Sequence, residues 1–365
     1  MSRPQVSVLI DTYNHERFIE QAVRSVLDQD FPTDAMEVIV VDDGSTDRTP
    51  EVVRGFEPRV RLIHKPNGGQ ASAFNAGIPE TRGEFVAFLD GDDWWAKTKL
   101  RTVLKAFATD PNVAAVGHGF FEVSEDGRRV ETFMPAETCR FHLSSTGAAR
   151  IASLGRVLLG TWITVRRSVL DRIGPIPTRL VYCADNPILT LALALGGAVI
   201  INQPLGYYRR HSANLFLTGL DTVKKMRRKC EMLDIELEYL PPKLGQFGVA
   251  PEVITTFFEQ DRIESDRLRL QLEGGSRWKT FQTEMRDFKA SYRRPSPSYF
   301  LFKCLVATAT LLVPPRQFYR IRDWYGRKNL ARFRKWFASE EPTVSPALFQ
   351  RRPVEDSRSD EAART

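Results

Sequence analysis

The first 117 residues alternate short apolar runs with stretches of helical periodicity. Between residues 18 and 27, apolar side chains recur at spacings of three and four, which predicts an amphipathic helix. Five apolar runs rich in β-branched residues predict strands: Val6–Ile10, Met36–Val41, Val60–His64, Glu84–Leu89 and Asn112–Gly117. This alternation is typical of βαβ units, so we predict an α/β fold with a Rossmann-like, mostly parallel mixed sheet flanked by helices.

Local signals refine this pattern. Thr49 followed by Pro50 predicts an N-cap and the first position of a helix. The segment SEDGRR at 124–129 predicts a hairpin turn around Asp126 and Gly127, and a further strand is predicted at Thr161–Val165.

After about residue 220 the pattern becomes helical. A stripe at spacings of 4, 3, 4 and 3 consists of Met226, Cys230, Leu233, Leu237 and Leu240. Two heptads are short for a coiled coil, which favours docking on the preceding domain as the alternative. With a second helical stretch at Pro251–Leu272, we predict a C-terminal helical appendage.

Composition places the chain among soluble globular proteins. It has 365 residues, of which 42% are hydrophobic and 27% charged, which excludes a wholly disordered or collagen-like chain. The four cysteines form no CxxC pair, so the sequence predicts neither a zinc finger nor a disulfide framework and favours a reducing cytoplasm. The run Val6–Ile10 is too short for a signal peptide, and no apolar stretch reaches the roughly 20 residues of a spanning helix.

Polar turns follow the predicted strands. The first, second and fourth strands lead into DTYNHE at 11–16, DDGSTD at 42–47 and DGDDWW at 90–95. The third leads into KPNGGQASAFNAG at 65–77. Because ligands of parallel α/β sheets bind outside the carboxyl ends of the strands, these turns predict one common site.

The DGDD segment places Asp90, Asp92 and Asp93 within four residues. Their charges repel one another unless a cation or hydrogen-bond donors compensate them. Oxygen ligands on a short turn suit Mg2+ or Mn2+. The alternative is a solvated acidic turn in which Asp93 caps a helix, but the other polar strand ends in the same sheet favour a ligand site.

In this order and spacing, the four turn segments with their strands resemble the nucleotide-binding half of the family 2 glycosyltransferases, which have the GT-A fold. The later segments TWITVRRSVLDRIG (161–174), CADNPILTLALA (183–194) and YYRRH (207–211) resemble the acceptor half of that family. The resemblance spans residues 5–215. It implies a catalytic domain at 1–218, divided into a nucleotide-sugar half at 1–117 and an acceptor half at 118–218.

The resemblance also implies residue roles. Asp92 and Asp93 would hold the metal, and Asp185 would be the catalytic base of an inverting reaction. The alternative for Asp185 is an N-cap of the helix that follows it. The residues implied in nucleotide-sugar binding are Thr12, Tyr13, Asn14, Asp42, Asp43, Asn67, Gly69, Asn75, Asp90, Arg209 and His211.

Two positions depart from the family pattern. Asp11 stands where proline is common, and Phe74 stands where many members have an arginine near the base or phosphates. The base of the nucleotide, usually uracil in the family, is therefore less well specified than the fold.

Aromatic and imidazole side chains near the strand ends have two interpretations. Trp94, Trp95 and Trp162 could stack on sugar rings or belong to the core. His15, His64 and His118 have no partner at metal-ligand spacing, which predicts structural roles.

The implied activity is metal-dependent, inverting transfer of a sugar from a nucleoside-diphosphate sugar, such as a UDP-sugar, to a hydroxyl of a glycan or lipid-linked acceptor in cell-surface polysaccharide synthesis. One alternative is a sugar-phosphate nucleotidyltransferase, which would have a Gly-rich basic loop after the first strand, where this chain has DTYNHE. The other is a non-catalytic sugar-nucleotide-binding protein on a degenerate transferase fold. The joint presence of Asp90, Asp92, Asp93 and Asp185 disfavours it.

Charge is concentrated near the C-terminus. The net charge is only +7, but the segment 316–337 has eight basic residues and one acidic residue, interleaved with aromatics. The apolar stretch Tyr299–Val313 would be about 22 Å long as a helix, too short to span a bilayer.

Within a helical region at 219–337, the segment 299–337 therefore predicts association with an anionic membrane surface. This places the protein in the cytoplasm, peripheral to the inner face of the cell membrane. The alternative is a buried helix with a solvated basic face. No nucleic-acid-binding module is recognisable. Residues 338–365 predict a disordered tail.

Overall fold

The computed structural model describes residues 3–144, 146–148, 162–212, 214, 222–291, 297–322 and 349–353. The chain forms two compact units. One comprises residues 1–143, 156–217 and 347–365, and the other comprises residues 144–155 and 218–346. The first is an α/β unit and the second is helical.

The described strands are β1 Val6–Thr12, β2 Met36–Asp42, β3 Arg61–His64, β4 Phe85–Asp90, β5 Trp94–Trp95, β6 Ala115–Val123, β7 Arg129–Pro135, β8 Cys139–Phe141, β9 Thr164–Arg166, β10 Ala198–Arg209 and β11 Phe349–Pro353. The described α-helices are α1 Ile19–Leu27, α2 Thr49–Arg54, α3 Gln70–Gly77, α4 Lys99–Thr109, α5 Arg167–Ile173, α6 Asp185–Leu195, α7 Val223–Gln246, α8 Pro251–Glu273, α9 Arg277–Ser291 and α10 Pro297–Ala309.

All these strands belong to one mixed sheet with the order β11-β7-β6-β9-β4-β1-β2-β3. Strand β1 pairs in parallel with β2 and β4, and β2 pairs in parallel with β3. Strand β9 is antiparallel to β4 and β6, whereas β10 is parallel to β6 and antiparallel to β5 and β8. The predicted mixed α/β sheet is confirmed.

The register of the parallel strands brings the polar turns together. Asp11 lies opposite Asp90, and Thr12 lies opposite Asp42. The carboxyl ends of the first, second and fourth strands therefore meet at one edge of the sheet, as the sequence predicted.

Burial explains the apolar strand sequences. Strand β1 is buried from Val6 to Ile10 because helices cover the parallel part of the sheet. Helix α1 buries Ile19, Ala22, Val23 and Val26 against this core. Helix α3 approaches the sheet so closely that a Cβ added to Gly77 would lie 2.8 Å from Val41 Cγ2.

Several predicted boundaries differ from the structure. The fifth predicted strand begins at Ala115 and continues to Val123, and the long strand β10 was not predicted. Helix α2 begins at Thr49, so Arg48 rather than Thr49 occupies the N-cap position. The Thr49 hydroxyl instead donates to Asp47 and accepts from the His15 backbone N–H. The hairpin turn is confirmed, with Gly127 at φ +87°.

In the helical unit, α7 packs against α8. Cys230 from the apolar stripe is buried beside Ser265, whose hydroxyl donates to Asp234, and Lys229 pairs with Glu264. The stripe thus faces a neighbouring helix of its own unit. None of the described helices combines the length and apolar composition that a membrane crossing requires.

The C-terminal segment contains a strand where disorder was predicted. Phe349–Pro353 pairs antiparallel with β7 at the edge of the sheet, from Phe349 opposite Pro135 to Pro353 opposite Glu131. Backbone pairing with an edge strand does not require an apolar sequence, which is why composition gave no sign of it. Of the predicted membrane segment 299–337 and tail 338–365, residues 323–348 and 354–365 lie outside the described part.

Candidate active site

The centre of the candidate site is a cluster of three carboxylates after β4. One carboxylate oxygen from each of Asp90, Asp92 and Asp93 lies within 4.8 Å of the others. Asp93 is 1% exposed, its Oδ1 accepts from the Arg209 backbone N–H at 2.8 Å, and its Oδ2 is buried with no hydrogen-bond partner. A buried, unpartnered carboxylate oxygen among oxygen donors fits a hard divalent cation.

The surroundings shift the pKa values of Asp92 and Asp93 in opposite directions. Burial and the charges of Asp92 and Asp90 raise the pKa of Asp93 well above its usual value. Burial also opposes ionisation of Asp92, but His15 and His211 outweigh it and lower the pKa of Asp92. His211 Nε2 lies 2.9 Å from Asp92 Oδ2, and His15 Nε2 lies 3.9 Å from the same oxygen. Asp92 is therefore the anionic member of the pair, and added positive charge would ionise Asp93.

Asp11 extends the cluster. Its side chain is hydrogen-bonded to Asp90, while its Oδ1 is buried without a partner. Burial, followed by the charge of Asp90, raises the pKa of Asp11 well above its usual value. A protonated Asp11 can donate to Asp90, so the residue that replaces the family's proline forms part of the acidic site.

The turn after β1 lies beside the cluster. Thr12 is buried, with its hydroxyl 3.2 Å from His15 Nδ1, and Tyr13 is 44% exposed at the edge of the site. Asn14 has φ +56°, and its side-chain oxygen accepts from the Thr46 backbone N–H at 2.8 Å. Asn14 thus joins two loops, whereas Tyr13 presents a ring that a base could stack on.

The two carboxylates after β2 have different surroundings. Asp42 is fully buried and bonded to Ser45 and to His64 Nδ1, the latter at 2.7 Å. Asp43 accepts from Lys65 Nζ at 2.5 Å and from the backbone N–H groups of Gly68 and Gly69.

Asn67 and Gly69 shape the loop around Asp43. Asn67 Nδ2 donates to the Asp43 carbonyl at 3.0 Å. Gly69 has φ +83°, and a Cβ added there would lie 2.5 Å from Val181 Cα. Only glycine fits this close approach of two backbones.

Asn75 links α3 to the loop that precedes α6. Its Nδ2 donates to the Ile176 carbonyl at 2.7 Å, and its Oδ1 accepts from the Ile176 N–H at 2.9 Å. Both ends of the amide are used within the protein, which differs from the expectation that Asn75 binds the sugar nucleotide.

Asp185 begins helix α6 and is 4% exposed. Ala184 occupies the N-cap position and Asp185 is the first helical residue, so Asp185 is not the N-cap residue itself, although its carboxylate is hydrogen-bonded to backbone N–H groups of this helix end. Burial, followed by the charge of Asp90, raises the pKa of Asp185 well above its usual value. A buried carboxyl of raised pKa facing an acidic cluster is typical of catalytic groups.

The guanidinium of Arg209 is hydrogen-bonded to protein groups around the carboxylate cluster. It donates to the backbone oxygens of Asp92 and Glu125 and to Gln21 Oε1, and lies over the ring of Trp94. These contacts are with protein groups, whereas the resemblance implied that Arg209 binds the nucleotide sugar. The next residue, Arg210, pairs with Glu122, whereas the imidazole of His211 lies against the Asp92 carboxylate.

The tryptophans pack mainly on protein. Trp94 stacks on Tyr207 at 4.8 Å, and Trp162, 4% exposed, stacks on Phe120 at 5.2 Å. Trp95 is buried under Lys99 Nζ, 3.6 Å from its ring centre. The core interpretation is thus correct for Trp95 and Trp162.

Phe74, which replaces the family's arginine, is fully buried against Phe88. Among the histidines, His118 is buried, and desolvation lowers its pKa to about 3. His15 differs from its predicted structural role because it lies beside Asp92.

Sequence reasoning missed Gln70. Its Nε2 donates to Asp90 Oδ1 at 3.0 Å, and its Oε1 accepts from the Ala184 N–H at 2.9 Å. The only signal in the sequence was its place in the polar segment 65–77.

Comparison with known proteins identifies relatives of the chain. The model of the family described as "Glycosyl transferase family 2" matches residues 7–174. An uncharacterized glycosyltransferase of Nostoc sp. is 30% identical over 258 residues, which are 68% of this chain and 78% of that protein.

Two solved structures share the fold. Staphylococcus aureus TarS 1-349 in complex with UDP-GlcNAc has a TM-score of 0.52 at 21% identity, over 78% of this chain and 89% of that chain. A mannosyltransferase from Pyrobaculum calidifontis in complex with GDP-Man and Mn2+ has a TM-score of 0.50 at 22% identity, over 93% and 89%.

Proposed function

Because the chain belongs to the family 2 glycosyltransferases, we propose that it transfers a sugar from a nucleoside-diphosphate sugar, with inversion, to a hydroxyl of a glycan or lipid-linked acceptor in cell-surface polysaccharide synthesis. One observation carries this proposal. The buried Asp185 lies close enough to Asp90 for the charge of Asp90 to raise its pKa, and Asp90 forms one carboxylate cluster with Asp92 and Asp93.

Asp92 and Asp93 are the residues proposed to hold Mg2+ or Mn2+. A divalent cation would supply positive charge to the departing diphosphate. Asp93 Oδ2 is the available oxygen, and His211 beside Asp92 restricts how that carboxylate can turn. The Mn2+ in the structure of the mannosyltransferase relative supports a cation of this class.

Asp185 is the proposed general base. Its carboxylate would take the proton from the acceptor hydroxyl as that oxygen attacks the anomeric carbon and the bond to the diphosphate breaks. Inversion follows from direct displacement by the acceptor. A raised pKa makes the ionised carboxylate a stronger base than a solvated aspartate.

The nucleoside is proposed to lie beside the ends of β1 and β2. Tyr13 is exposed and can stack on the base, while Asp42, Asp43 and Thr12 are buried at the same strand ends. The two solved relatives contain UDP-GlcNAc and GDP-Man, so we propose a UDP-sugar first and test a GDP-sugar beside it.

Asp185→Asn tests the base. We expect it to lower kcat for transfer by about 10³-fold or more while the Kd for the donor changes less than threefold. Asp28→Asn, an exposed aspartate after α1, is the matched control and should keep wild-type transfer. Full transfer by Asp185→Asn would contradict the assignment, and loss of donor binding would make Asp185 structural.

The donor and metal can be tested by thermal shift. A panel of UDP-, GDP- and dTDP-sugars, each with and without Mn2+, should raise the Tm for one nucleotide class, because a ligand of the folded state stabilises it. Asp93→Asn should remove the Mn2+-dependent part of that shift. Tight binding with no transfer or donor hydrolysis would instead support a non-catalytic binding protein.

We also propose that the helical unit binds an anionic membrane surface from the cytoplasm. Leu301, Leu305 and Leu312 are 61%, 62% and 76% exposed and recur at helical spacing on α10 and the turn after it. Exposed apolar stripes of this kind mark interaction surfaces. Exposed Arg316 and Arg320 follow in sequence, which favours anionic lipid as the partner.

Vesicle co-sedimentation tests this surface. The full chain should bind vesicles containing phosphatidylserine more tightly than phosphatidylcholine vesicles, and the double variant Leu305→Asp and Leu312→Asp should lose that binding. Val223→Asp, at another exposed apolar position of the same unit, is the control and should bind normally. Equal binding by all three proteins, or self-association that the double variant abolishes, would refute a lipid surface.

A further inference from the structure

Gln70 connects the two halves of the candidate site. Its side-chain amide donates from Nε2 to Asp90 Oδ1 at 3.0 Å and accepts at Oε1 from the Ala184 N–H at 2.9 Å. Asp90 ends the central strand β4, and Ala184 directly precedes Asp185. A single side chain therefore spans from the carboxylate cluster to the loop that carries the proposed base.

This loop depends on α3 for its position. The backbone N–H groups of Gln70 and Ala71 donate to the carbonyls of Val181 and Leu180 at 3.0 and 3.3 Å. Cys183 has φ +58°, a conformation that non-glycine residues rarely adopt and that surrounding contacts must hold. The Gln70 amide supplies such a contact one residue further on.

An amide is required at this position by its chemistry. One end must donate to a carboxylate, and the other must accept from a backbone N–H, which no carboxylate or aliphatic side chain of this length can do. Glutamate would add a negative charge beside Asp90 and Asp11. Methionine has a similar length but neither donor nor acceptor strength.

We infer that Gln70 is a positioning residue that fixes Asp185 relative to the donor site. This inference rests on the proposed function. The Gln70 amide then connects Asp90, which is proposed to contact the donor, to the loop that orients the general base Asp185. Loss of the link should affect the chemical step more than donor binding, because small misplacements of a base are costly in rate.

Gln70→Met is the primary test. We expect kcat for transfer to fall about 10- to 100-fold, with the donor Kd changed less than threefold. The kcat of Gln70→Glu should fall further, because the glutamate adds a negative charge beside Asp90 and Asp11. A wild-type kcat in Gln70→Met, with Asp185→Asn inactive, would overturn this inference and leave the proposed function intact.

A double-mutant cycle distinguishes positioning from a separate role. If Gln70 acts through Asp185, adding Gln70→Met to Asp185→Asn should cause no further loss of residual transfer. Independent, multiplicative losses would overturn the inference. Full transfer by Asp185→Asn would instead refute the proposed function itself.

Asn75→Ala provides the structural comparison. Asn75 holds the same loop at Ile176, at the other end of α3, and both ends of its amide are bonded to the Ile176 backbone. Both variants should lower the Tm, but Gln70→Met should reduce kcat at least fivefold more than Asn75→Ala. Equal losses of kcat at equal Tm would show that Gln70 is a loop anchor only. Donor binding, measured separately, shows whether each variant is folded.

Discussion

Lys99 shows how a single buried charge shapes stability. Its side chain is fully buried, with Nζ 3.0 Å from Thr164 Oγ1 and packed over Trp95. Desolvation lowers the pKa of Lys99 well below its usual value of 10.5. Between the lowered pKa of the folded state and the higher pKa of the unfolded state, the unfolded chain therefore binds a proton that the folded chain does not, and stability rises with pH across that range.

We expect Lys99→Met to raise the free energy of unfolding by about 1 kcal/mol at pH 7, since the desolvation cost disappears while the volume is kept. The gain should shrink as the pH approaches the unfolded pKa of 10.5, above which the lysine is neutral in both states. Chemical denaturation at pH 7 and pH 10 measures it. A loss of stability at pH 7 would show that the Thr164 contact outweighs desolvation.

Asp185 sets the expected pH dependence of activity. Burial and Asp90 raise its pKa well above 3.8, and only the ionised form can accept a proton. As pH falls through this raised pKa, kcat/KM should decline about tenfold per unit, with a midpoint well above 4. The profile at saturating Mn2+ measures it, and constant activity down to pH 4.5 would contradict it.

The sequence motifs predicted the positions of side chains at strand ends better than those of side chains held by partners far away in the sequence. Asp90, Asp92 and Asp93 converge because they follow one buried strand. Arg209 is held by Gln21, 188 positions earlier, and Asn75 by Ile176, 101 positions later. Contacts over such separations depend on the packed fold, so local sequence does not specify them.

Helix α3 illustrates how an element fits between strands. Its inner face is formed by Ala71, Ala73, Phe74 and Gly77, which are small except for Phe74. The position of Gly77 against Leu9 and Val41 leaves no room for a Cβ. The closeness of this helix to the sheet is what brings Gln70 within reach of Asp90.

We expect Gly77→Ala to lower the free energy of unfolding by about 1–3 kcal/mol, because the added methyl must displace the buried side chains of Leu9 and Val41 or the helix itself. Gly245→Ala is the control, since a Cβ there meets no atom within 4 Å. The control should be neutral or gain up to about 1 kcal/mol. Urea denaturation of both variants decides, and equal stability of the two would contradict the packing argument.

At the scale of elements, continuous apolar runs predicted the parallel strands well. The long strand β10 was missed because its residues 198–209 include Asn202, Gln203, Pro204 and Gly206, which resemble a loop. Its hydrogen bonds go to three strands far away in sequence, β5, β6 and β8. The register shifts around Pro204 accommodate the proline at an irregularity of the pairing.

Each of the two units has a hydrophobic core among its described residues. One lies between the sheet and its helices, and the other includes Leu270, Phe318 and Tyr319 of the helical unit. In the helical unit, Glu284 is 7% exposed and accepts from Arg267, Tyr319 and Arg322. Removing Glu284 would take away one of the two carboxylates that pair with the largely buried Arg267, the other being Asp287.

We expect calorimetry to resolve two unfolding transitions. A UDP- or GDP-sugar with Mn2+, at about 100 times its Kd, should stabilise only the α/β unit, by about 2.7 kcal/mol. Glu284→Leu should lower only the other transition, by about 3 kcal/mol. One cooperative transition that moves with both changes would contradict this separation.

The pairing of the late strand Phe349–Pro353 with β7 has a consequence for folding during synthesis on the ribosome. Strand β7 is complete at residue 135, yet its outer edge gains β11 only after residue 353 has been made. At roughly 5–20 residues per second on the ribosome, that interval lasts tens of seconds. During it the nascent sheet has an open edge that can pair with other chains. A chaperone or the ribosome surface would protect the protein most at this stage of translation.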